Sequence, residues 1–206
     1  MILAAIEWRA VLGTTPLEII ATLCSLGGVV LIARQQQLGW FLGIIWAAIS
    51  AWLAWTEWQL VSDAILYASY VPIQIYCWIS WRGADHQTSF RPTCLENRTR
   101  LILCVSILLA IALWGLAVSK LSAAYAWIPT PALLWRDSAS TVLNYFAQFL
   151  QARKRMENWA LWILVNLLGI HIYWVKGVPI YSLQYAIFLC LGIYGFVAWQ
   201  RSMRTQ

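Results

Sequence analysis

The chain has 206 residues, of which 62% are hydrophobic and 11% are charged, and it carries a formal net charge of +6. This composition excludes a water-soluble protein, because a soluble core does not need so large an apolar fraction, whereas each bilayer-spanning helix needs about 20 mostly apolar residues. The basic residues lie near the ends of the apolar runs rather than in a soluble patch, so we expect a lipid bilayer and no nucleic acid as the partner.

The predicted elements begin with an interfacial segment, residues 1–15, in which Glu7 and Arg9 interrupt a short apolar stretch that lacks the order of a cleavable signal. Gly, Pro and charged residues then separate seven apolar runs that predict transmembrane helices. These predicted spans are 16–33, 39–56, 59–81, 101–119, 132–151, 158–175 and 179–199. The sequence therefore predicts an all-α, multi-spanning membrane protein.

The second half of the chain repeats the first. A shift of 119 residues aligns Trp40 with Trp159, and a shift of 118 aligns Trp81 with Trp199. Each copy holds three spans, so a linker helix between them is needed to give both copies the same direction. Parallel repeats occur in transporters, although duplicated bundles also serve as receptors or scaffolds. The predicted domains are the segment 1–15, the first repeat 16–82, the region 83–131 with its linker helix 101–119, and the second repeat with its tail 132–206.

Polar side chains recur every three or four residues within three predicted spans, which places each set on one helix face. They are Asp63, Tyr67, Tyr70, Gln74 and Trp78 in the third span, Asp137, Thr141, Asn144, Gln148 and Gln151 in the fifth, and Trp159, Trp162 and Asn166 in the sixth. Because hydrocarbon leaves polar groups unsatisfied, these faces predict a shared wet cavity for a planar ring that carries hydroxyls. The alternative is that the amides join helices and the indoles anchor the membrane interface.

Most of the 15 tryptophans lie near the ends of spans and fit interfacial belts. Trp46, Trp52 and Trp162 lie deeper in their spans. They predict an aromatic wall that could hold a cationic ring.

The sequence offers little for catalysis or for metal binding. The five cysteines are scattered without C-x-x-C spacing, and the two histidines, His86 and His171, form no H-x-x-x-H pair. Without a G-x-S-x-G sequence either, we expect no enzyme, no metal and no cofactor. An intramembrane enzyme and a non-transporting sensor are the alternatives from other classes.

Basic residues are unequally divided between alternate loops. Ten of the 14 Lys and Arg residues fall on the side that carries the C-terminus, and four fall on the other side. Because cytoplasmic loops retain positive charge, we expect the C-terminus in the cytoplasm and, with an odd number of spans, the N-terminus outside.

Residues 16–201 resemble the PnuC family of bacterial vitamin transporters. The resemblance rests on Asp63 with Ile75-Tyr76-Cys77-Trp78 and, more specifically, on Gln148-x-x-x-Ala-Arg-Lys-x-x-Glu-Asn-Trp-x-x-Trp-x-x-x-Asn166 with Tyr173-x-x-Lys-Gly177. It implies a SWEET-like plan of three, one and three helices in the bacterial inner membrane. It also implies facilitated uptake of nicotinamide riboside for NAD synthesis, trapping by a cytoplasmic kinase, and assembly as a homotrimer.

The resemblance also implies substrate-binding residues. Gln148, Trp159, Trp162 and Asn166 match the polar and aromatic pattern of the family. The polar faces add Tyr67, Gln74 and Asn144 to the candidate set, and the aromatic wall adds Trp46. In the third span this chain has Tyr67 and Gln74 where the nicotinamide riboside members tend to have Gln and Asn. A changed donor set changes which hydroxyls can be satisfied, so thiamine, riboflavin and deoxynucleosides stay open as alternative substrates.

Overall fold

A computed structural model of the chain describes residues 15–57, 61–82, 92–125, 128, 133–175 and 179–204. These residues form seven α-helices: α1 Pro16–Ala33, α2 Leu38–Thr56, α3 Val61–Arg82, α4 Asn97–Ala124, α5 Leu134–Ala152, α6 Glu157–Val175 and α7 Pro179–Arg204. Each helix coincides with one predicted span, so the all-α fold class is confirmed. The predicted interfacial segment 1–15 lies, apart from Thr15, outside the described residues.

Five helices in the described part of the chain are long and apolar enough to cross a membrane, namely α1, α2, α4, α6 and α7. The other two, α3 and α5, have 22 and 19 residues but contain more polar side chains. They are the helices in which the sequence predicts long polar faces. On the most apolar helix, α4, the side chains of Leu101, Leu108 and Leu109 are exposed, as a lipid-facing helix requires.

The start of α1 is fixed by its first residues. Pro16 occupies the first turn, where its lack of an N–H costs no hydrogen bond because N–H groups there have no acceptor within the helix. The hydroxyl of Thr15 accepts from the N–H of Glu18 at 3.3 Å, and the Glu18 carboxylate accepts in return from the N–H of Thr15. This capping box satisfies two N–H groups that the helix itself cannot pair.

The turns between α1 and α2 and between α5 and α6 have the same geometry. Gln35 follows α1 with a φ of 64°, and Lys154 follows α5 with a φ of 55°, both in the left-handed region. The next N–H closes a Schellman hydrogen bond to the preceding helix, at 2.8 Å from Gln36 and at 2.9 Å from Arg155. The residues of each pair are 119 positions apart, like Trp40 and Trp159.

A buried tryptophan pair follows each of these turns. Trp40 of α2 meets Trp81 of α3 with ring centroids 5.3 Å apart and planes at 84°. Trp159 of α6 meets Trp199 of α7 at 5.4 Å and 90°. Edge-to-face contacts are favourable for aromatic rings, and all four indoles are buried. Each pair therefore holds the start of one helix against the end of the next.

The helices form two compact units that divide between Phe90 and Arg91. In unit 1, which contains α1 to α3, the middle helix packs against both others; in unit 2, which contains α4 to α7, each helix packs against the next. The core of unit 2 joins Ile107 of α4 to Val142 of α5 and Val165 of α6. The predicted linker helix, α4, is thus packed within unit 2.

The segment before α4 is bound to the turn between α5 and α6. The N–H of Thr93 donates to a carbonyl of that turn at 3.1 Å, and its own carbonyl accepts from an N–H of the turn at 2.9 Å. Glu157 Oε1 accepts from the N–H of Leu95 at 2.9 Å and from Arg100 Nε at 2.8 Å. We call these contacts of Thr93, Leu95 and Arg100 the clasp.

The clasp and the Trp159–Trp199 pair place four helix ends together in unit 2. The starts of α4 and α6 and the ends of α5 and α7 meet there. This basic end carries Arg98, Arg100, Arg153, Lys154, Arg155, Arg201 and Arg204. Lys120 and Arg136 lie near the opposite end, at the end of α4 and the start of α5, so the charge of unit 2 is strongly one-sided.

Candidate functional site

Buried uncharged polar side chains lie on α5, and one of them bonds to α6. Gln148 and Gln151 of α5 are only 3% and 5% exposed. Trp162 of α6 is half-buried beside the apolar core, and its indole Nε1 donates to Gln151 Oε1 across 3.1 Å. We call Gln148, Gln151 and Trp162 the amide face.

Gln148 has unused hydrogen-bonding capacity in this face. Its Nε2 is buried, and no acceptor among the described residues lies within hydrogen-bonding distance. Leaving such a donor unsatisfied costs about 1–3 kcal/mol. A bound molecule with an acceptor at this point would remove that penalty, so Gln148 suits a ligand contact.

The predicted stripe on α6 divides between two neighbouring helices. Trp162 turns toward Gln151 of α5, whereas the ring of Trp159 lies against Gly195 of α7. Asn166, which is buried, faces Gly192 of α7 and so lies on the same side as Trp159. Residues three apart on a helix differ by about 60° in direction and residues seven apart by only about 20°. The two indoles of the predicted face therefore contact different neighbouring helices.

Asn144, the fifth candidate on α5 and α6, uses its donor locally. Its Nδ2 donates to the carbonyl of Ser140, one turn earlier on α5, at 2.8 Å. The side chain is half-buried, unlike Gln148 one turn further along. Asn144 therefore has less free hydrogen-bonding capacity than Gln148 for a ligand.

In unit 1, Gln74 is the counterpart of these buried amides. It is 7% exposed, and its Oε1 has no donor within hydrogen-bonding distance among the described residues. The amide lies over Gly43 of α2, where an added Cβ would be 2.7 Å from Oε1. A glycine at this position thus makes the room that the Gln74 side chain occupies.

The remaining candidates in unit 1 form an aromatic cluster. Trp46 of α2 contacts Tyr67 of α3 with ring centroids 5.7 Å apart, and contacts Tyr70 at 5.9 Å. The structure therefore brings Trp46 and Tyr67 together, as a shared aromatic wall requires. Trp52, which the sequence also assigns to that wall, is 62% exposed, and this part of the expectation is wrong.

Two grooves lie elsewhere, one in each unit. One, of about 460 Å³, runs between α4 and α5 and includes Trp114 and Phe146; the other, of about 400 Å³, runs between α2 and α3 and includes Trp52 and Trp55. Both are shallow and apolar, so they suit lipid chains better than a polar solute. Among the described residues, no group of His, Cys, Asp and Glu could hold a metal ion.

Sequence reasoning missed two features of the site. Gln151 falls in the predicted polar face but not in the candidate set, although it binds the Trp162 indole. A second cluster, in which Tyr185 of α7 stacks on Tyr173 of α6 at 5.4 Å, lies in unit 2. The shift of 118 residues that pairs Trp81 with Trp199 also pairs Tyr67 with Tyr185, and this signal could have identified the second cluster.

Comparison with known proteins gives a consistent family. The sequence pattern of the family described as "Nicotinamide mononucleotide transporter" matches residues 15–201. The nicotinamide riboside transporter PnuC of Escherichia coli is 24% identical over 92% of this chain and 87% of its own length. The protein of that name from Neisseria mucosa is 25% identical over 85% of this chain and 68% of its own length.

A relative with another named substrate is similar to the same degree. The riboflavin/roseoflavin transporter RibM of Streptomyces davaonensis is 25% identical over 80% of this chain and 84% of its own length. A solved structure, described as the crystal structure of the vitamin B3 transporter PnuC, superposes with a TM-score of 0.74 at 22% identity, over 98% of this chain and 88% of that chain. The fold is therefore shared, and identity alone does not separate the two named substrates.

Proposed function

The chain belongs to the nicotinamide mononucleotide transporter family, and from this membership we propose that it carries nicotinamide riboside across the bacterial inner membrane by facilitated diffusion. Two relatives bear the name of nicotinamide riboside transporters. A cytoplasmic kinase would trap the substrate by phosphorylation and commit it to NAD synthesis. The chain itself acts as a transporter and not as an enzyme in this proposal.

The amide face is the observation that carries the proposal. Nicotinamide riboside has a flat cationic ring, a carboxamide and ribose hydroxyls. An indole such as Trp162 can stack on that ring, and amides such as Gln148 can bond either a hydroxyl or the carboxamide. The Gln148 amide is buried, and an unpartnered buried amide is unfavourable until a polar solute meets it.

Riboflavin is the second candidate substrate, because the riboflavin/roseoflavin transporter is as similar to this chain as the nicotinamide riboside transporters are. Binding to the purified chain should be compared for nicotinamide riboside, riboflavin, thiamine and thymidine. We expect nicotinamide riboside alone to raise the melting temperature. Stabilisation by riboflavin instead would reassign the substrate within the family, and stabilisation by none of the four would contradict the proposal.

The proposed architecture is two parallel three-helix repeats joined by α4. It is supported by the two left-handed turn residues, Gln35 and Lys154, and by the two buried tryptophan pairs, which recur at nearly the same spacing. Repeats of this kind move against each other in alternating access, and Pro72 inside α3 supplies a point where that helix can bend. The candidate side chains Tyr67, Trp159 and Asn166 would line the substrate path.

We expect no coupling to an ion, because the candidate side chains are neutral amides and aromatic rings. Counterflow into proteoliposomes that contain only the purified chain separates transport from trapping. Uptake of labelled nicotinamide riboside should be unchanged by a proton uncoupler. A collapse of counterflow on adding the uncoupler would contradict a facilitative mechanism.

The proposed orientation has the C-terminus in the cytoplasm and the N-terminus outside. The seven basic residues at one end of unit 2 support it, since positive loops stay on the cytoplasmic side. Fusion of a reporter that is active only in the periplasm to residue 206 should give an inactive protein. The homotrimer that the resemblance implies is tested separately, by the mass of the detergent-solubilised complex.

A further inference from the structure

We infer that Gln151 is a positioning residue, which holds the Trp162 indole in the orientation that stacks on the substrate. The inference rests on the proposed function in one respect, because it takes Trp162 as a substrate contact. Gln151 itself acts through the indole.

The hydrogen bond between the two side chains has a defined direction. An indole N–H can only donate, so the atom 3.1 Å away must be the amide oxygen of Gln151. Gln151 is 5% exposed, so water does not compete freely for that oxygen. Because a tryptophan side chain has only two rotatable bonds, one buried hydrogen bond and the packing against α5 fix the plane of its ring.

The fold does not require this pair. In unit 1 the positions 119 residues earlier are Ile32 and Gly43, which can form no such bond. The same left-handed turn and the same tryptophan pair are nevertheless built there. The polar pair in unit 2 is therefore an addition to a scaffold that unit 1 completes without it.

The glycine and the large side chain at this level lie on opposite helices in the two units. In unit 1 the middle helix has Gly43, and the Gln74 amide from α3 fills the room above it. In unit 2 the corresponding helix is α6, which has Trp162. The position on α7 that corresponds to Gln74 is Gly192. With no amide on α7 at that level, the acceptor that orients the indole comes from α5, as Gln151.

The turn does not explain the Gln151 side chain either. The backbone carbonyl of Gln151 accepts from the N–H of Lys154 at 3.0 Å, and any residue at this position could supply it. The side-chain amide is separate from that bond, and among the described residues it bonds to the Trp162 indole. We therefore assign the role of the Gln151 side chain to its hydrogen bond with Trp162.

A double-mutant cycle on substrate affinity tests the inference. The dissociation constant of nicotinamide riboside is measured by calorimetry on the purified full-length chain and on Gln151→Met, Trp162→Phe and the double variant. Loss of a buried hydrogen bond corresponds to a factor of about five to ten in affinity, which is the weakening expected for Gln151→Met. In the Trp162→Phe background, where no N–H remains to be held, the same change should weaken binding by less than about twofold.

Trp159 provides the matched control, because its ring faces α7 and not Gln151. In a Trp159→Phe background, Gln151→Met should keep its full five- to tenfold effect. Equal effects of Gln151→Met in the Trp162→Phe and Trp159→Phe backgrounds would overturn the inference, since a general structural role would act in both. If the wild-type chain binds neither nicotinamide riboside nor riboflavin, the proposed function fails instead, which is a separate result.

A second variant keeps the test decisive if Gln151→Met does not fold. Benzothienylalanine in place of Trp162 removes the N–H and retains the shape of the ring. It should weaken binding by the same five- to tenfold factor while gel filtration shows a folded chain. Unchanged affinity for this variant would also overturn the inference.

Discussion

The six-membered ring of Trp159 lies directly against Gly195, so closely that a Cβ at Gly195 would overlap it. Gly195→Ala should therefore displace the ring from its edge-to-face contact with Trp199 and destabilise the fold by about 1–3 kcal/mol. The measurement is thermal unfolding of the purified chain. Gly192→Ala is the control on the same helix, because its Cβ would meet Ile163 at an ordinary 3.7 Å. Equal melting temperatures for the two variants would show that the indole has room to move.

Gln35→Gly and Lys154→Gly should each stabilise the chain. An L-residue in the left-handed region is disfavoured by about 1–2 kcal/mol, which exceeds the entropy that glycine adds to the unfolded state. Burial also lowers the pKa of Lys154, so removal of this partly desolvated ammonium acts in the same direction. We expect a gain of up to about 1 kcal/mol in each case, read as a higher melting temperature.

Gln37 offers the comparison within the first turn, because its φ of −63° is ordinary. Gln37→Gly should lower the melting temperature slightly, since glycine has no backbone advantage there. A higher melting temperature for all three variants would mean that glycine stabilises these turns for a reason other than the left-handed backbone.

Removal of the Glu157 carboxylate should free the start of α4. In Glu157→Ala the N–H of Leu95 loses its acceptor, whereas in Arg100→Ala that acceptor remains. Hydrogen exchange of the peptide containing Leu95 should therefore quicken in Glu157→Ala and stay near the wild-type rate in Arg100→Ala. Equal exchange in both variants would show that the backbone bonds of Thr93 suffice to hold the clasp.

Gln74→Met should separate stability from affinity. Methionine has a similar length and removes a buried acceptor that has no partner, so the melting temperature should rise by the equivalent of about 1 kcal/mol. If Gln74 contacts the substrate, affinity for nicotinamide riboside should fall in the same variant. Gln36→Met, on an exposed side chain, should change neither quantity. A stabilised variant with unchanged affinity would remove Gln74 from the proposed site.

The positions of the helices were predictable because each apolar run is long and clearly bounded. The exceptions are α4, which spans Asn97–Ala124 rather than 101–119, and α7, which continues to Arg204 rather than ending at 199. For α4, hydropathy places the start of the span after the basic residues Arg98 and Arg100, whereas the helix begins before them. There the clasp provides an acceptor for Arg100.

The site was less predictable, since it depends on which helix each face meets. The sequence predicts an interior position for Trp52, which is exposed, because an indole also fits the membrane interface. Gln151 and Trp162 are 11 positions apart, and their meeting depends on the left-handed residue Lys154 between them. Helical periodicity describes one helix at a time and contains no information about such a turn.

The clasp joins residues that are synthesised far apart in time. Leu95 and Glu157 are separated by 62 positions, so the acceptor for the Leu95 amide does not exist until two further helices have left the ribosome. The first turn of α4 is therefore anchored only after α5 and the start of α6 have been synthesised.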